Sequence, residues 1–338
     1  MMALAASPAM AQSWQPQSSG IDSELRGLSV VSETVAWASG AKGRVLRTVD
    51  GKSWKAMTVP GAEKLDFRDV DAVSDTTAYI LSIGNGAASR IYKTTDAGQT
   101  WALQFQNTDE KAFFDAMAFW DAERGIAFSD SVDGRLVILR TTDGGANWSR
   151  IPANGLPPAL DNEGAFAASG TNVAMFGKQH VWIGTGAAAR SRVLRSTDAG
   201  KTWAIADTPL AAGPSTGIFS IAFRDANHGI VVGGDYSKEK EAVDNAAITS
   251  DGGRTWKLVA GLTGFRSVVA FLGRSRGANI WMAVGPSGAD ISTDDGKTWR
   301  EVSSLGFDTI GVARGGDRTP PTVFGAGANG RLGKLVIE

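Results

Sequence analysis

Short apolar runs alternate with polar, glycine-containing turns along the whole chain, and no apolar stretch approaches the roughly 20 residues of a membrane-spanning helix. Runs such as Val45-Leu46, Ile91-Tyr92, Leu136 to Leu139 and Val193-Leu194 are each followed by a turn and then by another short run. That spacing predicts strands joined by hairpin turns.

The turns after these runs are copies of one another. Five read Thr94-x-Asp96-x-Gly98-x-x-Trp101, Thr141-x-Asp143-x-Gly145-x-x-Trp148, Ser196-x-Asp198-x-Gly200-x-x-Trp203, Thr249-x-Asp251-x-Gly253-x-x-Trp256 and Ser292-x-Asp294-x-Gly296-x-x-Trp299. A sixth, Thr48-x-Asp50-Gly51-x-x-Trp54, is one residue shorter. Each residue type has a structural role. Asp accepts amide hydrogen bonds from its own turn, Gly takes the positive φ that a Cβ resists, and Trp packs a large ring on neighbouring sheet. The loop lacks the alternating ligands and closing Glu of a helix-loop-helix calcium site, so the Asp is expected to shape the turn rather than bind metal.

Successive tryptophans stand about 43 to 55 residues apart, the length of one propeller blade. Within each repeat an inner strand can be aligned: Leu25 to Leu28, Phe67 to Val70, Phe113 to Ala116, Asn162 to Ala165, Ile218 to Ile221, Phe265 to Val268 and Phe307 to Ile310. The predicted fold is therefore an all-β, seven-bladed β-propeller of four-stranded blades, forming a single domain over residues 12–338. The seventh blade has no turn motif of its own, whereas Ser13-Trp14-Gln15-Pro16 resembles the end of a motif and the start of an outer strand. The N-terminal segment is expected to supply the missing outer strand and close the ring.

The repeated turn is the Asp box, or bacterial neuraminidase repeat, and the chain resembles three groups that carry it: sialidases, Asp-box glycosidases, and the photosystem II assembly-factor propellers of cyanobacteria and chloroplasts. The last is closest in size, blade number and repeat style. That resemblance implies a protein that binds partners through an arginine-rich patch and does not catalyse. The sialidase resemblance implies three arginines on a substrate carboxylate, a Tyr/Glu pair and an Asp, but the Phe-Arg-Ile-Pro type segment that opens sialidases is absent and the arginines here come from equivalent positions of blades one, two and six.

Composition narrows the function classes. The net charge is −1 with basic and acidic residues interspersed, which favours neither nucleic acid nor a membrane surface as partner. There is no cysteine, so disulfides, thiol catalysis and thiolate metal sites are excluded. The two histidines, His180 and His228, both fall in turns entering second strands, which leaves no candidate for a catalytic triad or for a zinc or iron site. Gly325-x-Gly327-x-x-Gly330 matches the dinucleotide fingerprint in letters, but it is expected to join two strands, where no helix N-terminus meets a pyrophosphate. No cofactor or metal is expected. Residues 1–11, ending in Ala9-x-Ala11, read as part of a signal peptide that begins upstream of Met1, which points to a periplasmic or secreted, monomeric protein.

Candidate chemistry gathers where the inner strands begin, at the mouth of the channel. One aligned ring reads Arg26, Arg68, Phe114, Glu163, Phe219, Arg266 and Asp308; the next includes Asp69 and Asp115. Three arginines with carboxylates and phenylalanines suit an anionic or sugar-like ligand, or a protein partner. Loops on the same face add Asp130, Asp133, Asp235 and Tyr236. The expected ligand-binding set is Arg26, Arg68, Arg266, Asp308, Asp130, Asp235 and Tyr236. The alternative is a carbohydrate-active enzyme, glycosidase or lyase, that uses Asp69, Asp115 or Glu163 as its catalytic carboxylates.

Overall fold

The computed structural model describes residues 12–313 and 320–337. The segment read as a signal peptide lies outside the described residues. Among the described residues twenty-eight strands form seven four-stranded antiparallel sheets. Blades 1 to 6 cover residues 25–58, 67–106, 114–150, 173–207, 216–258 and 268–303, each with its strands in chain order from inner to outer. Blade 7 takes Thr309–Ala313, Thr322–Gly327 and Arg331–Ile337 from the C-terminal end and Gln12–Gln17 from the N-terminal end, as the seven-repeat pattern predicts.

The burial pattern follows each strand's place in its sheet. Second strands such as Ala36–Gly40 and Ala78–Ser82 are buried along their whole length, because neighbouring blades cover both faces, and they read as mainly apolar runs rather than as alternating ones. Outer strands such as Ala102–Gln106 are exposed or half-buried. The closing strand pairs antiparallel with Arg331–Ile337 from Gln12 to Gln17, and the Trp14 ring sits 4.5 Å from that of Phe307. Among the described residues no helix is long and apolar enough to cross a membrane.

The repeated turns join third to outer strands and fasten each blade to the one before it. In blade 5 the Thr249 hydroxyl accepts the amide of Gly253, and Asp251 accepts the amides of Arg254 and Thr255. Gly253 (φ +82) lies over Trp182 of blade 4, where an added Cβ would stand 3.2 Å from the indole. Trp182 Nε1 in turn donates to Gly252 O at 2.9 Å, so the turn is a clasp between blades. Gly325 and Gly327 lie in the second strand of blade 7 and Gly330 closes a single 3-10 turn into the third strand, which is the strand-to-strand setting expected of that motif.

Blade 4 departs from the aligned pattern. Its inner strand is Val173–Phe176, and Asn162 to Ala165 belongs instead to the approach that precedes it. The displaced stretch continues across the channel. Ser169 Oγ donates to Ser267 O of blade 6 at 2.8 Å, Thr309 Oγ1 of blade 7 donates to Ser169 O, Arg68 Nη1 of blade 2 donates to Ala167 O, and Thr171 Oγ1 donates to Ser220 Oγ of blade 5. A segment preceding the blade 4 inner strand that touches the inner strands of blades 2, 5 and 7 and the residue before that of blade 6 must lie across the axis. It crosses the channel that the inner strands enclose.

Candidate functional site

Above this crossing segment the mouth forms a cavity of about 760 Å³, floored by Ala165, Phe166, Ala167 and Ala168. Its walls differ in character around the ring. Blades 7, 1 and 2 present arginines, blade 3 presents carboxyls, and blades 5 and 6 present aromatic rings.

On the cationic side Arg26 pairs with Asp308 at 3.1 Å and Arg68 with Asp66 at 2.8 Å. Burial raises the Asp308 carboxyl above its ordinary value, with Arg26 working in the opposite direction. Both arginines are partly exposed and line the cavity with Arg331, whose Nη1 donates to Gly306 O at 2.7 Å. Arg331 escapes an alignment of inner strands because it opens a third strand. The signal is nevertheless in the sequence: third strands begin with Arg44, Arg90, Arg135, Arg192 and Arg331 in five of the seven blades.

Arg266 is a correction. It is fully buried outside the cavity, where it donates to Asp290 at 2.6 Å, to the Thr263 hydroxyl at 2.6 Å and to Phe265 O at 2.8 Å. Its guanidinium holds the blade 5–6 joint together and has no face for a ligand. Glu163 is displaced likewise. Because it lies before the inner strand rather than in it, its carboxylate is buried against Arg192, with Thr185 Oγ1 donating at 2.8 Å and the Leu160 amide at 2.9 Å. Asp69 is buried beneath the crossing segment and accepts the Met117 amide of blade 3 at 2.7 Å; burial, with Asp71 nearby, pushes its carboxyl well above the ordinary range. Asp235 shapes its own turn by accepting from the Ser237 amide and hydroxyl.

Asp115 and Asp130 do line the cavity. Asp115 is 1% exposed, and neither of its carboxylate oxygens has a hydrogen-bond partner. Burial pushes its carboxyl well above the ordinary range, and the neighbouring Asp130 pushes it further. Burial raises Asp130 to about 6 against the Ala165 amide that it accepts at 3.1 Å. Two carboxylates are both acceptors, so a bond between them forms when Asp115 takes up a proton.

Tyr236 is 51% exposed and completes the aromatic wall. Phe166 stacks on Phe219 with centroids 4.0 Å apart and planes 5° apart, and Tyr236 meets both edge-on at 6.0 Å. Phe166 comes from the crossing segment, so the blade 4 insertion supplies both the floor and part of this wall.

No family model and no curated protein matches the chain. Solved structures match over nearly its whole length. In fold, this chain is similar to YCF48. A structure of YCF48 bound to D1 peptide aligns with TM-score 0.64 at 18% identity over 99% of both chains, and YCF48 from Cyanidioschyzon merolae with TM-score 0.63 at 20% identity over 95% of this chain and 98% of that one. The WD40 β-propeller domain of Doa1 aligns with TM-score 0.62 at 12% identity, over 97% and 98%. At these identities what is shared with YCF48 is the seven-bladed architecture.

Proposed function

We propose that this chain is an exported, non-catalytic binding protein of assembly-factor type, which holds a segment of a partner protein in the mouth cavity. The observation that carries the reading is the cavity itself. It is large enough for several residues of peptide, is closed below by the crossing segment, and offers arginines, carboxyls and stacked rings from different blades. The full-length fold similarity to a YCF48 that binds D1 peptide supports a peptide as its occupant.

The carboxylates suited to hydrolysis argue for binding. Of Asp69, Asp115 and Glu163, Asp115 alone reaches the cavity, and its neighbour there is Asp130, within hydrogen-bonding reach rather than across a sugar ring. Capture from a periplasmic extract tests the reading: wild type should retain a protein partner that the Arg26→Glu/Arg68→Glu variant loses. Equal capture by both proteins, or sugar hydrolysis that disappears in Asp115→Asn, would overturn it.

A further inference from the structure

We infer that Asp115, Asp130 and the adjoining rings of Phe166, Phe219 and Tyr236 form a subsite for one basic group of the bound segment, a lysine ammonium or an arginine guanidinium. This rests on the reading that the mouth holds a protein segment, and it names the chemistry of one of that segment's contacts.

The acid pair is uncompensated where its neighbours are not. Around it, blade 2 offers Asp69 and Arg68, and Arg68 is bound to Asp66 and to Ala167 O. Blade 4 offers Glu163, neutralised by Arg192, and blade 3 offers Asp133, paired with Lys111 at 2.7 Å. Apart from the proton it can share with Asp130, Asp115 has no partner on either oxygen, and Asp130 receives one amide, that of Ala165. A buried polar group left without a partner costs free energy that a ligand donor recovers, so the site is built to accept one.

The rings line the same cavity as the acid pair. Asp130 fixes the amide of Ala165, and the next residue, Phe166, carries the ring that stacks on Phe219 and meets Tyr236. Carboxylate oxygens next to aromatic faces are what a desolvated cation needs, since it gains charge-assisted hydrogen bonds and cation–π contact together. A cation arriving here displaces the proton that the pair otherwise shares, so binding releases a proton and tightens as pH rises.

Dodecapeptides selected from a random phage-displayed library on the full chain provide the test, with each Lys or Arg of the best binder then replaced by norleucine. The binders should carry a basic residue, one norleucine replacement should lose affinity on the order of tenfold, and Asp115→Asn should show the same loss with the original peptide. Wild-type binding should weaken from about pH 8 to about pH 5, with proton release visible by calorimetry in two buffers of different ionisation enthalpy. Peptides that bind at the mouth with no loss on norleucine replacement would overturn the basic subsite and leave the binding reading standing. A library that yields no mouth binder would overturn both.

Discussion

Gly170 of the crossing segment lies against the carboxylate of Asp69 in blade 2: a Cβ at position 170 would stand 2.1 Å from Asp69 Oδ1, on a backbone with φ +71. Gly177, in the first hairpin of blade 4, has φ +60 and nothing within 4 Å. Gly177→Ala should therefore cost the left-handed backbone penalty, about 1 kcal/mol, whereas Gly170→Ala should cost at least about 2 kcal/mol because the channel crossing must also shift. Urea unfolding of the two variants separates the effects, and equal losses would show that the segment does not pack against blade 2.

Ring closure makes the N-terminal strand a stability element. Trp14 is half-buried against Phe307 and the core between blades 6 and 7, so Trp14→Ala should cost about 2–3 kcal/mol, and removal of residues 12–17 should cost considerably more because it strips the whole outer strand from Arg331–Ile337. Thermal unfolding unchanged by the deletion would contradict closure through this strand.

Glu163 and Arg192 form a buried ion pair, and a buried charge stripped of its partner is expensive. Glu163→Gln should lose about 3 kcal/mol, read by chemical denaturation, and Glu163→Gln/Arg192→Met should regain part of it. A catalytic role for Glu163 predicts the reverse: full stability and a lost activity.

Two sets of carboxyls give stability opposite dependences on pH. In the repeated turns, burial raises Asp198 and Asp251, but the amides and hydroxyls of Thr202 and Thr255 outweigh it and hold both carboxyls at about 2. Their folded values lie below the unfolded 3.8, so their contribution is present above about pH 4 and is lost as pH falls toward 2. Asp130, raised to about 6, and Asp115, raised well above the ordinary range, bind protons more tightly when folded; their contribution is full below about pH 4 and is lost as pH rises, for Asp130 through about 6. Asp115→Asn should therefore stabilise the protein at pH 8 more than at pH 4, while Asp198→Ala should destabilise it at pH 7 and approach wild type near pH 2. Parallel pH profiles for wild type and Asp115→Asn would contradict the acid pair.

The blade count and the closing strand were legible because the Asp-Gly-Trp turns and the apolar second strands depend on local sequence, and the clasp between blades needs both at fixed spacing. Six of the seven inner strands overlap the aligned positions. Blade 4 differs because Ala165 to Thr171, mostly small residues around Phe166, are held across the channel by hydrogen bonds that have no periodic signature, so its extra residues read as a mere approach to the strand. The site was half legible. Arg26, Arg68, Asp308, Asp115, Asp130 and Tyr236 reach one cavity, but register cannot show that Arg266 turns inward to Asp290 or that Arg331, from a third strand, stands in its place.

Whether the partner sits in the mouth is tested most directly by photo-crosslinking. A benzophenone side chain introduced at Tyr236, beside the cavity, or at Leu103, exposed on the outer strand of blade 2, is irradiated in periplasmic extract. Position 236 should give a discrete crosslinked protein that disappears in the Arg26→Glu/Arg68→Glu background, and position 103 should give none. The same product from position 103 and none from 236 would contradict binding at the mouth.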